Sequence, residues 1–186
     1  MKLLYRILVC CALSTVALNA AEAASGPEEN VAAVPADGGS LRVLVPIFRD
    51  ATTKREIMIQ NGRIDLSGQE LQLLPDFSGL TEEQAAAVTT LDLSNNDLRR
   101  IFAGQLSPFK NMRTIALRNN PNLVVLPLDL FAGLLRITHL DLRDCALAFL
   151  QEGLFDDTVQ LERLLLEGNR LVALTSFERC RELREL

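Results

Sequence analysis

One short pattern returns five times after residue 63, with small variations: an apolar residue, any residue, a second apolar residue, two more, an Asn-like position, any residue and a leucine. Its copies are Ile64-Asp65-Leu66 with Gln69 and Leu71, Leu91-Asp92-Leu93 with Asn96 and Leu98, and Ile115-Ala116-Leu117 with Asn120 and Leu123. Leu140-Asp141-Leu142 with Cys145 and Leu147, and Leu164-Leu165-Leu166 with Asn169 and Leu171, complete the set. Starting positions 64, 91, 115, 140 and 164 give spacings of 27, 24, 25 and 24 residues. A unit this short cannot bury its own apolar residues, so the copies must stack as an array and share one continuous core. Composition agrees: 48% of residues are apolar, with one Tyr and no Trp, as expected of a core built from one kind of aliphatic residue.

Alternation within each copy predicts a short strand. Leu91 and Leu93 share the inward face, while Thr90, Asp92 and Ser94 point to solvent. Stacking at the strand spacing of roughly 5 Å makes a parallel sheet. After each strand the chain turns inward, and an unpaired backbone group there costs about 1–3 kcal/mol. A buried amide side chain supplies both donor and acceptor. Asn96, Asn120 and Asn169 are therefore read as a structural ladder, with Gln69 serving by a longer reach and Cys145 a poorer partner that marks a weak point. The second half of each copy recurs too, as Leu71-Gln72-Leu73-Leu74-Pro75, Leu98-Arg99-Arg100-Ile101, Leu123-Val124-Val125-Leu126-Pro127, Leu147-Ala148-Phe149-Leu150 and Leu171-Val172-Ala173-Leu174.

On these residues the chain, from about Ile57 to Leu186, resembles the typical 24-residue class of extracellular leucine-rich repeats. Phe131, Leu134 and Ile137, and then Phe155, Thr158 and Leu161, match that class's convex positions. The resemblance implies an α/β solenoid, a horseshoe with a parallel concave sheet and an irregular or short-helical convex side. The longer first copy carries Thr81-Glu82-Glu83-Gln84, a capping box that predicts one helical turn there.

The segments before the repeats read differently. Lys2 and Arg6 precede an apolar run from Ile7 to Leu18 and the small residues Ala21-Glu22-Ala23, the three parts of a secretory signal peptide over residues 1–23. Residues 24–40 are rich in Ala, Gly, Pro and Glu and read as a flexible leader. Residues 41–60 hold two short strands, Leu41 to Phe48 and Ile57 to Ile59, separated by the polar run Arg49 to Glu56, and these cap the repeats of 61–186. This cap, with Val45-Pro46-Ile47-Phe48-Arg49-Asp50-Ala51, is similar to that of secreted insect leucine-rich immune proteins, and the repeats resemble Toll-type ectodomains. The cysteines and following coiled coil of the insect proteins are missing here, which puts their disulfide-linked dimerisation in doubt for this chain. No later run of 18 apolar residues exists, so the expectation is a secreted, extracellular protein with no membrane span. The last copy breaks off on Leu186, which corresponds to Leu164. That points to a fragment of a longer protein or to self-association through an uncapped repeat.

Two cysteines lie in the signal peptide, and Cys145 and Cys180 remain. The register puts Cys145 inside and Cys180 in the convex slot of Leu134 and Thr158, so they are expected as separate buried thiols, not as a bridge. His139, the only histidine, faces outward, away from Cys145, and cannot form a nucleophilic pair with it. No metal, phosphate-loop or hydrolase motif occurs, and no catalytic residue, metal site or cofactor is expected. Asp65, Asp92 and Asp141 share one column, but Ala116 interrupts it. The formal charge of -5 is interspersed and carries no basic stripe, which argues against nucleic acid as a partner. What remains is recognition of a protein ligand on the concave face. Its first half is small and acidic. The second half adds Arg118, His139, Asp141, Arg143, Arg163, an exposed Leu165 and Glu167, a mixture suited to binding. Immunity, adhesion or receptor recognition fits such a module. Inhibition of an extracellular enzyme would use the same face, and a structural role in the extracellular matrix is the third alternative.

Overall fold

A computed structural model describes residues 41–47 and 50–186. The expected signal peptide and leader, with Cys10, Cys11 and Phe48, lie outside the described residues. The described elements form one seven-stranded sheet in sequential order. Strands β1 (Leu41–Ile47) and β2 (Asp50–Gln60) pair antiparallel as a ribbon, with Leu41 opposite Ile59 and Val45 opposite Arg55. The polar run expected to separate two strands is thus strand itself from Asp50 onward. Pairing along β1 supplies the backbone partners that its side-chain pattern alone does not advertise.

Strand β2 turns into β3 (Arg63–Asp65) through Asn61-Gly62, both with positive φ, of 51° and 72°. Asn-Gly suits such a two-residue turn because both positions must be left-handed. A Cβ on Gly62 would also lie 2.9 Å from the Ala87 carbonyl oxygen. The Gly62 carbonyl in turn accepts from the amides of Thr89 and Thr90, which ties the ribbon to the next coil.

From β3 onward the sheet is parallel, with β4 (Thr90–Asp92), β5 (Thr114–Ala116), β6 (His139–Asp141) and β7 (Arg163–Leu165) following. Their register aligns Ile64, Leu91, Ile115, Leu140 and Leu164 in one row, the row the sequence period defines. Beyond β7, Arg163 bridges in parallel to Glu185, so the incomplete last copy adds in the same register.

The core is one continuous cluster along the array. Ile64, Leu66, Leu91, Leu93, Ile115, Leu117, Leu140, Leu142 and Leu164 bury their side chains from the sheet side. From the convex side, Phe131, Phe155 and Phe177 stack with ring centroids 5.8 and 5.5 Å apart, and Phe77 meets Phe109 edge-on at 5.0 Å. In the convex row, Thr158 lies against Cys180, hydroxyl to thiol at 3.7 Å, which confirms the slot assigned to Cys180. Both Cys145 and Cys180 are buried and free. The extra length of the first copy becomes a 3-10 turn (Phe77–Gly79) and helix α1 (Glu82–Ala87). Thr81 caps α1 as the sequence implies: its hydroxyl accepts from the Gln84 amide, and the Gln84 side chain accepts from the Thr81 amide.

Candidate functional site

The concave face is built by the outward residues of the five parallel strands and of the turn after each. The row before the core leucine reads Arg63, Thr90, Thr114, His139 and Arg163, and the row after it reads Asp65, Asp92, Ala116, Asp141 and Leu165. Two residues further lie Ser67, Ser94, Arg118, Arg143 and Glu167. Not all of these reach solvent as expected. Ser94 is only 1% exposed, because its hydroxyl and amide both turn back onto the Asp92 carboxylate, at 2.5 and 3.0 Å. Leu165 is half-buried, not fully exposed.

Charge on this face is largely neutralised in place. Arg63 reaches both Asp65, at 3.0 Å, and Asp92, at 2.6 Å, so the acidic first half carries its own counter-ion. Arg143 holds Asp141 through two nitrogens at 2.8 and 2.7 Å, and Arg163 pairs with Glu185 at 2.5 Å. Burial pushes the Asp141 carboxyl upward, but the hydrogen bonds from Arg143 outweigh it and hold the group below the ordinary range. The Ser67 hydroxyl, with the Ser67 amide and Arg63, does the same for Asp65. His139 is fourth in its row of five, between Thr114 and Arg163, with Nδ1 2.8 Å from the Thr138 hydroxyl.

Beneath the face runs the amide ladder. Asn96 accepts from the amides of Gln69 and Leu71, both at 3.0 Å, and donates to the Leu66 and Leu93 carbonyls at 2.8 and 2.9 Å. Asn120 accepts from Leu98 and donates to Leu93 and Leu117, and Asn169 accepts from Leu147 and donates to Leu142 and Leu166. Each asparagine therefore ties its own coil to the preceding one. Cys145 keeps half of this role, its thiol donating to the Leu117 carbonyl at 3.3 Å. Gln69 lies on the exposed side of its turn, outside the buried row. The Gln69 backbone amide is held by Asn96 of the following coil.

Two features of this region were not drawn from the sequence. Immediately before the ladder position stand Gly68, Asn95, Asn119, Asp144 and Gly168, all with φ between 52° and 70°. These are the residue types that tolerate the left-handed region, so the column was legible in residue type. On the flank of coils three to five, Val124, Val125, Phe149, Val172 and Leu174 form an exposed apolar stripe. Backbone bonds from Ala148 to Val124 and from Val172 to Ala148 hold it together. The signal was the variation within the recurring second half, where Gln72 and Arg99 give way to Val124, Ala148 and Val172.

No His/Cys/Asp/Glu cluster among the described residues has metal-binding geometry, and no described helix is long and apolar enough to cross a membrane. A family model described as leucine rich repeat matches residues 86–147 and 110–171, the coils whose register and asparagine ladder are described above. Residues 86–171 are leucine-rich repeats. Among solved structures, this leucine-rich-repeat chain is similar to Toll in the Drosophila Toll–Spatzle complex, a hub in development and innate immunity. That likeness has 27% identity and a TM-score of 0.51 over 66% of this chain and 19% of the other. A second similarity, at 24% identity and a TM-score of 0.41, is to the TLR13–ssRNA13 complex, over 54% of this chain and 18% of the other. The chain thus spans about a fifth of the length of the solved chains it matches. No curated protein matches it.

Proposed function

We propose that this chain is a secreted recognition module that binds a protein partner on the concave face of coils three to five, in the setting of innate immunity. The observation that carries this reading is the placement of Arg118, His139, Asp141, Arg143, Arg163, Leu165 and Glu167 on one rigid parallel sheet. Arginine and an apolar anchor there follow a first half whose charges are closed on themselves. Toll, with which the chain shares its repeats, is seen in complex with Spatzle, which supports a protein as the class of partner. The signal peptide read in residues 1–23 supports export.

Capture from extracellular fluid with the full chain as bait, followed by affinity measurement, tests the proposal. Joint replacement of Arg118, Arg143 and Leu165 by alanine is expected to weaken the captured complex by about a hundredfold, in keeping with truncation of a few central anchors. A control set on the convex side, Val159→Ala with Arg179→Ala, is expected to leave it unchanged. Equal affinity of all three proteins overturns the concave assignment. Export is checked by N-terminal sequencing of the protein released from cells; an uncleaved Met1 refutes the signal peptide.

A further inference from the structure

Three of the five coils hold a carboxylate at one fixed place on the concave face. Asp65 accepts from the amide and hydroxyl of Ser67 at 3.0 and 2.7 Å, and Asp92 accepts from the amide and hydroxyl of Ser94. Asp141 accepts from the Arg143 amide at 3.3 Å and from its guanidinium at 2.7 and 2.8 Å. In each case a side-chain carboxylate receives both the backbone N–H and the side chain of the residue two positions on.

The third coil has both donors and no carboxylate. Ala116 occupies the acidic position, aligned with Asp92 on one side and Asp141 on the other. Arg118 stands where Ser67, Ser94 and Arg143 stand, and it is exposed. Its carbonyl accepts from the Asn95 amide and the Asn120 side chain, while its amide and guanidinium make no hydrogen bond or close ion pair among the described residues; the charge of Arg118 acts on the neighbouring Asp141 only at longer range, helping to lower that carboxyl. Arg63, Arg143 and Arg163, the other arginines of the sheet, are each paired. The flanking carboxylates are also committed, Asp92 to Arg63 and Ser94, and Asp141 to Arg143.

We propose that the gap over Ala116 is a carboxylate-binding position, completed by an aspartate or glutamate side chain of the protein partner that docks on Arg118. The deduction rests on the concave-face reading above and names the chemistry the partner brings to it. The fourth coil acts as the template: there the amide and the guanidinium of one arginine together donate to a carboxylate, which fixes its place. A planar guanidinium beside a backbone N–H matches the two oxygens of a carboxylate, and such charge-assisted bonds are among the strongest available to an interface. The small Ala116 side chain leaves the room. Asp65 and Asp92 already stand side by side in this column, so the sheet tolerates adjacent carboxylates there when each is paired.

The test uses the 15N-labelled chain and acetate as the probe, with sodium chloride and sodium sulfate at matched ionic strength. Acetate is expected to shift the Arg118 amide and Nε–H resonances, and chloride and sulfate to shift them less. In Ala116→Asp the internal carboxylate takes the place, the acetate response is lost and the melting temperature does not fall. An Arg118 signal indifferent to acetate, an equal response to sulfate, or a full response in Ala116→Asp each overturns the proposal. With the captured partner, Ala116→Asp and Arg118→Ala are each expected to weaken binding about tenfold or more. If these two leave affinity intact while Arg143→Ala and Leu165→Ala reduce it, the carboxylate position is wrong and concave recognition stands. If none of the four matters, the recognition reading itself fails.

Discussion

The Leu123 amide donates to the Asn120 carbonyl at 3.0 Å, inside a single coil and next to the one place where the ladder carries Cys145. The equivalent amides, Leu71, Leu98 and Leu147, all reach forward to an asparagine of the following coil, Asn96, Asn120 and Asn169. A thiol donates weakly and accepts poorly, so Cys145 cannot serve the amide of Leu123 as an asparagine would. The third coil carries one residue more than the second between its ladder position and the next leucine: Asn120-Pro121-Asn122-Leu123 against Asn96-Asp97-Leu98. That extra residue lets the chain turn back on itself and satisfy Leu123 locally.

Replacement of Cys145 by asparagine is therefore expected to change stability by less than about 1 kcal/mol in either direction, because the amide it would serve is already paired. Urea unfolding of the two proteins measures this. A gain of several kcal/mol in Cys145→Asn would mean that the cysteine is the weak point its residue type suggests.

The opposite result is expected one coil earlier. Asn96 is buried, and its side chain holds two amides and two coil carbonyls. Asn96→Ala leaves several of these without partners in a dry interior and is expected to cost about 3 kcal/mol. Asn169 makes fewer such bonds and is half-buried, so Asn169→Ala should cost visibly less. Equal losses at the two positions, read from urea midpoints, would break the link between burial and the ladder's contribution.

These contrasts mark what the sequence makes legible. Strand positions, the parallel register and the inward leucines follow from a period of two inside a period of about 24, since both are fixed by apolar side chains that only one arrangement buries. The ladder is legible for the same reason at Asn96, Asn120 and Asn169. Leu123 is not, because its hydrogen bond is made between backbone groups and the side-chain pattern carries no trace of it. The ribbon strand β2 escapes for a related reason: Asp50, and Lys54 to Glu56, pair through their backbone along β1. Burial of Ser94 depends on its bonds to Asp92, which an alternation rule cannot register. On the concave face, the rows are legible and the pairings among them are not. Which arginine is left over is decided by the whole set, with Arg163 taken by Glu185 from the last coil.

Gly168 shows how tightly the left-handed column constrains the turn. Its φ is 70°, and a Cβ there would collide with the Asp144 carboxylate and lie 3.2 Å from the Asp144 Cα. The carboxylate can swing aside, but the backbone atom cannot. Gly168→Ala is expected to lose about 2–3 kcal/mol, combining left-handed strain with the close approach. Gly104 has nearly the same φ, 71°, with nothing within 4 Å of such a Cβ, so Gly104→Ala isolates the conformational cost at about 1–2 kcal/mol. If thermal melts place Gly104→Ala below Gly168→Ala, crowding by Asp144 is not the deciding factor.

Acid should weaken the face before it reaches the core. Asp141 has a folded pKa below its ordinary value of 3.8, because the hydrogen bonds from Arg143 exceed the opposing effect of burial. A carboxyl depressed on folding contributes stability that is fully present above its unfolded pKa and disappears as pH falls through the folded one. The contribution of Asp141 is thus intact at pH 6 and fades below about pH 4. Asp141→Asn removes it at every pH. The difference in urea midpoint between the native chain and Asp141→Asn is therefore expected to be largest near pH 6 and to shrink steadily toward pH 2.5. Asp65, depressed chiefly by the Ser67 hydroxyl, adds a parallel loss in the native chain that Asp141→Asn does not remove, so both proteins weaken in acid while the gap between them closes. A gap that stays constant across this range would show that the Asp141–Arg143 contact acts through packing and not through charge.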